Sequence, residues 1–211
     1  RQFSDIPPHP SLQDINPKSI SRQGDNIYIG SHRGVFIYSL SKKTLENIVP
    51  EILEGKQILS ALQQSPIYLW VATEGDGLYK INLQTKETAH YTHTPGKKGC
   101  ISSNYIRSLT LDSQNNLWVG TINSLNIYNE ATDSFTGYTS NLEVNGSLSQ
   151  TSIRDIFMDS QGGMWLGTYY GGLNYYHPLK NRFRNIRFIS QKNSLNCNCL
   201  LYTSRAHETV L

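Results

Sequence analysis

Residues 116–121 read Asn-Leu-Trp-Val-Gly-Thr, and residues 163–168 read Gly-Met-Trp-Leu-Gly-Thr, with Trp118 and Trp165 standing 47 residues apart. An earlier copy, Leu69-Trp70-Val71-Ala72-Thr73, precedes Trp118 by 48 residues. A more worn one, Asn26-Ile27-Tyr28-Ile29-Gly30-Ser31, puts Tyr28 42 residues before Trp70. The flanks repeat too, at a step of 47 upstream and 48 downstream. Upstream, Tyr105-Ile106-Arg107-Ser108-Leu109-Thr110-Leu111-Asp112 matches Ser152-Ile153-Arg154-Asp155-Ile156-Phe157-Met158-Asp159. Downstream, Ser124-Leu125-Asn126-Ile127-Tyr128 matches Gly172-Leu173-Asn174-Tyr175-Tyr176. A small leader precedes each unit, so that Ile101, Leu148 and Leu195 are also spaced by 47. Landmarks that independently share one period define an internal repeat, and the repeat decides the fold.

Each unit reads as four short strands. The Ile-Arg segment is the first, closed by a turn such as Asp112-Ser113-Gln114-Asn115-Asn116. The Trp strand follows, apolar on successive residues and therefore buried on both faces. Leu-Asn-Ile-Tyr or its relatives make the third strand, and weaker segments such as Ser134–Tyr138 and Arg182–Ile186 the fourth. A four-stranded antiparallel sheet that is apolar on both faces needs a similar sheet on either side. Radial stacking supplies this, and a period of 40 to 50 residues is that of propeller blades. The fold class is thus all-β: a β-propeller fragment of about four four-stranded antiparallel blades. The blades are expected at about 14–50, 57–95, 100–142 and 147–190, and a further one begins at 194–198. In this arrangement the Trp wedges between blades and the Gly two residues on lets the backbones approach. Helical solenoids are excluded, since the nearest helical pattern, Leu45 to Leu62, is interrupted by Pro50 and Gly55.

Bulk properties narrow the function classes. Thirteen Tyr and three Trp accompany only 17% charged residues, a balance that suits strands and polar turns. The net charge of +3 is scattered, with no basic run of the kind a nucleic-acid groove needs, so no nucleic-acid partner is expected. No stretch of about 18 apolar residues spans a membrane, and no signal peptide is present. The chain opens with Arg1, so upstream sequence is expected. Three Cys, with Cys100 alone, define no disulfide framework and leave the redox compartment open.

The motif Ile-Arg-x-Leu-x-x-Asp-x-x-Gly/Asn-x-Leu-Trp-x-Gly-Thr-x-x-x-Gly-Leu-Asn-x-Tyr, carried by Ile106–Tyr128 and Ile153–Tyr175, resembles the two-component regulator propeller repeat. The leaders Gly146-Ser147-Leu148-Ser149 and Asn193-Ser194-Leu195-Asn196 are typical of it. The resemblance is strongest over 100–196, moderate over 57–99 and faint over 14–50, where Tyr28 replaces Trp and Ser31 replaces Thr. It implies the sensor half of a membrane-anchored hybrid histidine kinase of Bacteroidetes type, periplasmic and responsive to glycan fragments. It also implies seven blades in each ring, which makes this chain an open arc, and a homodimeric parent tied to the membrane only through downstream segments. The implied partner is an oligosaccharide or similar small ligand, and no cofactor or catalytic role comes with it.

Residues 199–211 break the period. Cys199-Leu200-Leu201-Tyr202-Thr203-Ser204-Arg205-Ala206-His207-Glu208-Thr209 resembles the translation of a transposase-end adapter used in sequencing libraries, and is expected to be non-native; a divergent further blade is the alternative. Neither His207 nor Cys199 is therefore assigned to a metal site.

Candidate chemistry is sparse. His90 and His93, three apart on a strand, point to opposite sides and are expected to be solvated. Asp112 and Asp159 recur at one turn position, where a carboxylate caps backbone N–H groups, and no catalytic or metal residue is assigned. Binding is expected where the repeats disagree, in the loop after each Gly-Thr: His32 and Arg33, Glu74 and Asp76, Asn123, and Tyr169 and Tyr170. The Tyr pair offers rings for stacking on sugars, and the polar residues offer hydrogen bonds. Two rival readings stand beside ligand sensing: a scaffold propeller that binds proteins, and a carbohydrate-active enzyme propeller with acids converging on the axis.

Overall fold

The computed structural model describes residues 16–141, 143–144, 146–179 and 183–186. The suspected tail at 199–211 and the leader at 194–198 lie outside the described residues. Four separate four-stranded antiparallel sheets follow one another along the chain, each with its strands in sequence order. The first comprises β1 (Pro17–Gln23), β2 (Asn26–Ser31), β3 (Gly34–Ser39) and β4 (Leu45–Ile48). The second holds β5 (Ile58–Gln63), β6 (Tyr68–Thr73), β7 (Leu78–Asn82) and β8 (Thr88–Tyr91). The third holds β9 (Ile106–Leu111), β10 (Leu117–Thr121), β11 (Leu125–Asn129) and β12 (Ser134–Tyr138). The fourth holds β13 (Ile153–Met158), β14 (Met164–Thr168), β15 (Leu173–Tyr176) and β16 (Phe183–Ile186). A single helical turn, α1 (Pro50–Leu53), replaces the leader before the second sheet; Pro starts it, and Leu53 is buried beneath β3.

The sheets stack as consecutive blades. First strands pack on first strands, β1 on β5, β5 on β9 and β9 on β13, while no contact of that extent joins β13 back to β1 among the described residues. The second strand of each blade then faces the first strand of the next, which explains why β10 is buried along its whole length. Trp118, 2% exposed, sits in a core with Leu148, Ile153, Ile156, Met164 and Leu166 of the following blade. Trp70 packs likewise against Ile106, Leu109, Leu117 and Val119, and Tyr28 against Ile58, Ala61, Leu69 and Val71. The wedge expected from the repeat is therefore the inter-blade core. Gly120 is small for the same reason: a Cβ there would come 2.8 Å from Ile153 Cγ2 in the next blade.

The motif residues that looked decorative are clamps. The Ser or Thr that ends each second strand turns its hydroxyl onto the loop beyond: Thr121 Oγ1 donates to the Ser124 carbonyl at 2.9 Å and accepts from Asn123 N at 3.1 Å. Thr73, Thr168 and Ser31 donate in the same way to Gly77, Gly172 and Gly34. Asn126 and Asn174, both fully buried, tie the third strand to the leader. Ser102 N donates to Asn126 Oδ1 at 3.1 Å while Asn126 Nδ2 donates to Ser102 Oγ at 2.9 Å, and Asn174 holds Ser149 through the same pair.

Candidate functional site

Three of the four variable loops are fixed to the residue just before their own blade's first strand, and the loop of the first blade to the segment after α1. Glu74 N donates to the Gln57 carbonyl at 2.9 Å, Ile122 N to that of Tyr105 at 3.3 Å, and Tyr169 N to that of Ser152 at 3.1 Å. In the first blade the His32 carbonyl accepts from Gly55 N at 2.9 Å. The loops and the leaders thus form one rim, at the edge where the innermost strands begin. That rim is held by backbone bonds, so its side chains sit on a rigid support.

The seven residues expected there have different fates. His32 is half-buried and Arg33 exposed. Asp76 is committed to protein partners: Lys56 Nζ lies 2.5 Å from its carboxylate, the Tyr79 hydroxyl donates to it, and the His90 ring nitrogen contacts its carbonyl at 2.6 Å. Burial pushes the Asp76 carboxyl up, but Lys56 and Tyr79 outweigh it and hold it below its ordinary value. Burial and then the Asp76 bond push the Tyr79 hydroxyl up to about 12. His90 stacks on Tyr79 with centroids 4.2 Å apart, and His93 Nδ1 lies 2.9 Å from the Ile101 carbonyl. Both residues are exposed, and each ring also meets the protein: His90 within the second blade and His93, which lies past β8, at the leader of the third. Asn123 is exposed, yet its side-chain amide donates to the Ser102 carbonyl at 3.2 Å. Glu74 stays exposed on the rim.

Tyr169 and Tyr170 are the most accessible aromatic pair there, 38% and 58% exposed, edge to face with centroids 4.3 Å apart. Two residues outside the expected set join them. The pairing register slips between Ile106 and Ser108 and again between Ile153 and Asp155, which leaves Arg107 and Arg154 as the extra residues of equivalent bulges. Their guanidinium carbons lie 6.0 Å and 5.1 Å from the centre of the Tyr169 ring. Burial, and then the like charge of Arg154, hold the Arg107 guanidinium below its ordinary value, against the opposing pull of Tyr169 and Glu74. The signal was present in the sequence, since the Ile-Arg pair recurs at the repeat period. What a strand pattern does not show is a bulge at the second residue of the strand, which takes Arg107 and Arg154 out of the regular alternation.

The turn acids do something different. Asp112 accepts from Gln114 N and Asn116 N, each at 2.9 Å, and Asp159 accepts from Gln161 N at 2.9 Å and Gly163 N at 2.8 Å. Each also receives the indole N–H of its own Trp, at 3.1 Å for Trp118 and 2.9 Å for Trp165. In the second blade Gln64 takes the Asp position and accepts from Trp70 at 2.7 Å. No group of three or more His, Cys, Asp or Glu is placed to hold a metal ion among the described residues.

The repeats that build this rim match a known family model. Residues 100–123 and 147–170 fit the model of the two-component regulator propeller. Both segments are similar to the two-component regulator propeller repeat. Histidine kinase P4 of Formosa agariphila is 29% identical over 118 residues, which is 53% of this chain and 9% of that protein. The extracellular domain of the BT3049 hybrid two component system of B. thetaiotaomicron superposes with a TM-score of 0.69 at 22% identity, over 87% of this chain and 23% of that one. The extracellular domain of the BT4673 one component system of the same organism gives 0.63 at 27% identity, over 79% of this chain and 22% of that one. The chain thus spans less than a quarter of the length of each of these relatives. Its fold is that of a propeller segment, similar to part of these extracellular domains.

Proposed function

We propose that this propeller segment is the ligand-sensing part of an extracytoplasmic two-component regulator that responds to glycan fragments, and that it is not itself catalytic. The observation that carries this reading is the Tyr169–Tyr170 pair, exposed on a rim that backbone bonds hold rigid, within a repeat shared with regulator propellers. Sugar rings present C–H faces that stack on accessible aromatic side chains, and a rigid support keeps the ordering cost of such a contact low. The described acids do not favour a hydrolytic or lyase site: Asp112 and Asp159 cap their turns and hold indole N–H groups, and Asp76 is paired with Lys56. The parent regulator is proposed to be periplasmic in its sensor half, anchored in the inner membrane by other segments, and to signal through a kinase as a homodimer.

The test is calorimetry of the intact protein against an oligosaccharide panel, run beside a pull-down from envelope extract and a product assay on each saccharide. Saturable binding without turnover, weakened about tenfold or more by Tyr170→Ala, supports sensing. Capture of a protein with no saccharide binding would replace it with a scaffold role, and turnover would replace it with an enzyme.

A further inference from the structure

We infer that Arg107, Arg154 and Tyr169 form a binding site for an oxyanion, and that the saccharide sensed at this rim is acidic, carrying a carboxylate or sulfate group. The inference rests on the sensing reading above and adds the charge of the ligand. Two guanidiniums from adjacent blades converge on one aromatic ring, at 6.0 Å and 5.1 Å, although like charges repel. Neither forms an ion pair among the described residues, and Glu74, the acid that faces Arg107, acts on it only through space, beyond ion-pair distance. Nη1 of Arg107 is sealed from solvent without a hydrogen-bond partner. A buried guanidinium donor left unpaired is costly, and the ring face of Tyr169 supplies attraction but no acceptor for N–H groups. An oxyanion seated between the two forks cannot reach the sealed Nη1, but it supplies the missing charge and accepts from the guanidinium N–H groups of Arg154 and the remaining ones of Arg107; planar guanidinium donors match carboxylate and sulfate oxygens in pairs.

The position suits a saccharide. The bulges that present the two Arg belong to the innermost strands, β9 and β13, and the same rim carries Tyr170, 58% exposed, beside Tyr169. A uronate or sulfated residue with its charged group on the Arg pair would have its neighbouring sugar within reach of the Tyr170 ring. The equivalent bulge residues of the first two blades are Lys18, which is cationic, and Leu59, which is not. The strongest anion preference is therefore centred on the third and fourth blades.

The experiment is titration of the intact protein with three probes of equal length: trigalacturonate, a sulfated galactotriose and neutral galactotriose. At least one anionic probe is expected to bind ten times or more tightly than the neutral one, with an affinity that falls as salt rises. Arg154→Gln is expected to bring the ratio of anionic to neutral affinity down to about one, and Arg107→Met, which keeps the apolar stem, to do the same. A thermal melt in sodium sulfate against sodium chloride of equal ionic strength provides a readout free of the sugar, and the sulfate-specific upward shift should vanish in Arg154→Gln. Equal binding of neutral and anionic probes would overturn the oxyanion site and leave glycan sensing intact. Anion binding that survives both substitutions would also overturn it. Failure of all three probes together with no sulfate shift would overturn both readings.

Discussion

Trp118 joins two repeat landmarks that stand six residues apart in the sequence and look independent there. Its ring fills the seam to the next blade, and its indole N–H closes the turn by bonding Asp112 at 3.1 Å. Truncation therefore removes packing and a polar tie together. Trp118→Ala is expected to cost about 3–5 kcal/mol in chemical denaturation of the intact protein, and Trp118→Phe about 1–2 kcal/mol, since the ring volume is largely kept. A cost under about 1 kcal/mol for the alanine variant would show that the residue is not an inter-blade wedge. Asp133 makes a titratable counterpart in the preceding seam. The hydroxyls of Tyr91, from the second blade, and Tyr128 donate to it at 2.6 Å and 2.7 Å, and those two bonds hold its carboxyl below the ordinary value. A group with a depressed folded pKa contributes stability that is present above its unfolded value, about 3.9, and is lost as pH falls through the folded one. Asp133→Asn should accordingly flatten the acid limb of stability below about pH 4, read by denaturant titration at a series of pH values. An acid limb parallel to the parent's would rule this out.

At the scale of elements, the leader and the third strand behave as one unit because a buried Asn bridges them. Asn126 satisfies both the amide and the hydroxyl of Ser102, and Ser102 in turn meets Thr121 Oγ1 at 2.9 Å. Asn126→Ala orphans the half-buried Ser102 amide and leaves its hydroxyl only Thr121, which should cost about 1–3 kcal/mol and speed hydrogen exchange at that amide. Unchanged exchange there would mean the leader is held by something else. The strands themselves were legible in the sequence, because apolar succession and turn chemistry are local signals that repeat. The Asn clamps were visible only as a recurring Leu-Asn, at 125–126 and 173–174, whose purpose depends on a partner in the leader. Least legible were Arg107 and Arg154. Alternation along β9 and β13 predicts which face a residue takes, and a bulge that shifts the register at one residue overrides it. The loop residues were singled out by their variability, and of them Asp76 and Asn123 are held by Lys56 and by the Ser102 carbonyl, partners that distance along the chain conceals.

In the molecule as a whole, stability is carried by seams between successive blades, and each seam has its own polar stitches as well as its apolar core. Ser21 Oγ donates to the Ala61 carbonyl at 2.8 Å across the first seam, and Thr110 Oγ1 to the Ile156 carbonyl at 2.8 Å across the third. These are equivalent positions in the repeat, opposite Tyr28 and Trp118 in their own sheets. Where each unit touches only its neighbours, free energy is a sum of unit and seam contributions, and distant seams do not communicate. Ser21→Ala and Thr110→Val should each cost about 0.5–1.5 kcal/mol, and the double variant should match their sum within about 0.5 kcal/mol. Within one seam the result should differ. Ser108 Oγ donates to Asp155 Oδ1 at 2.8 Å and accepts from Ile156 N at 3.1 Å, so Ser108→Ala and Asp155→Asn remove parts of one network. Their double variant should depart from additivity by about 0.5 kcal/mol or more, because the second change finds the shared bond already gone. Denaturation of the two single-variant pairs and their doubles checks both halves. Coupling between Ser21 and Thr110 as large as that between Ser108 and Asp155 would mean that the seams respond as one body, and the neighbour-by-neighbour account of this stack would have to be given up.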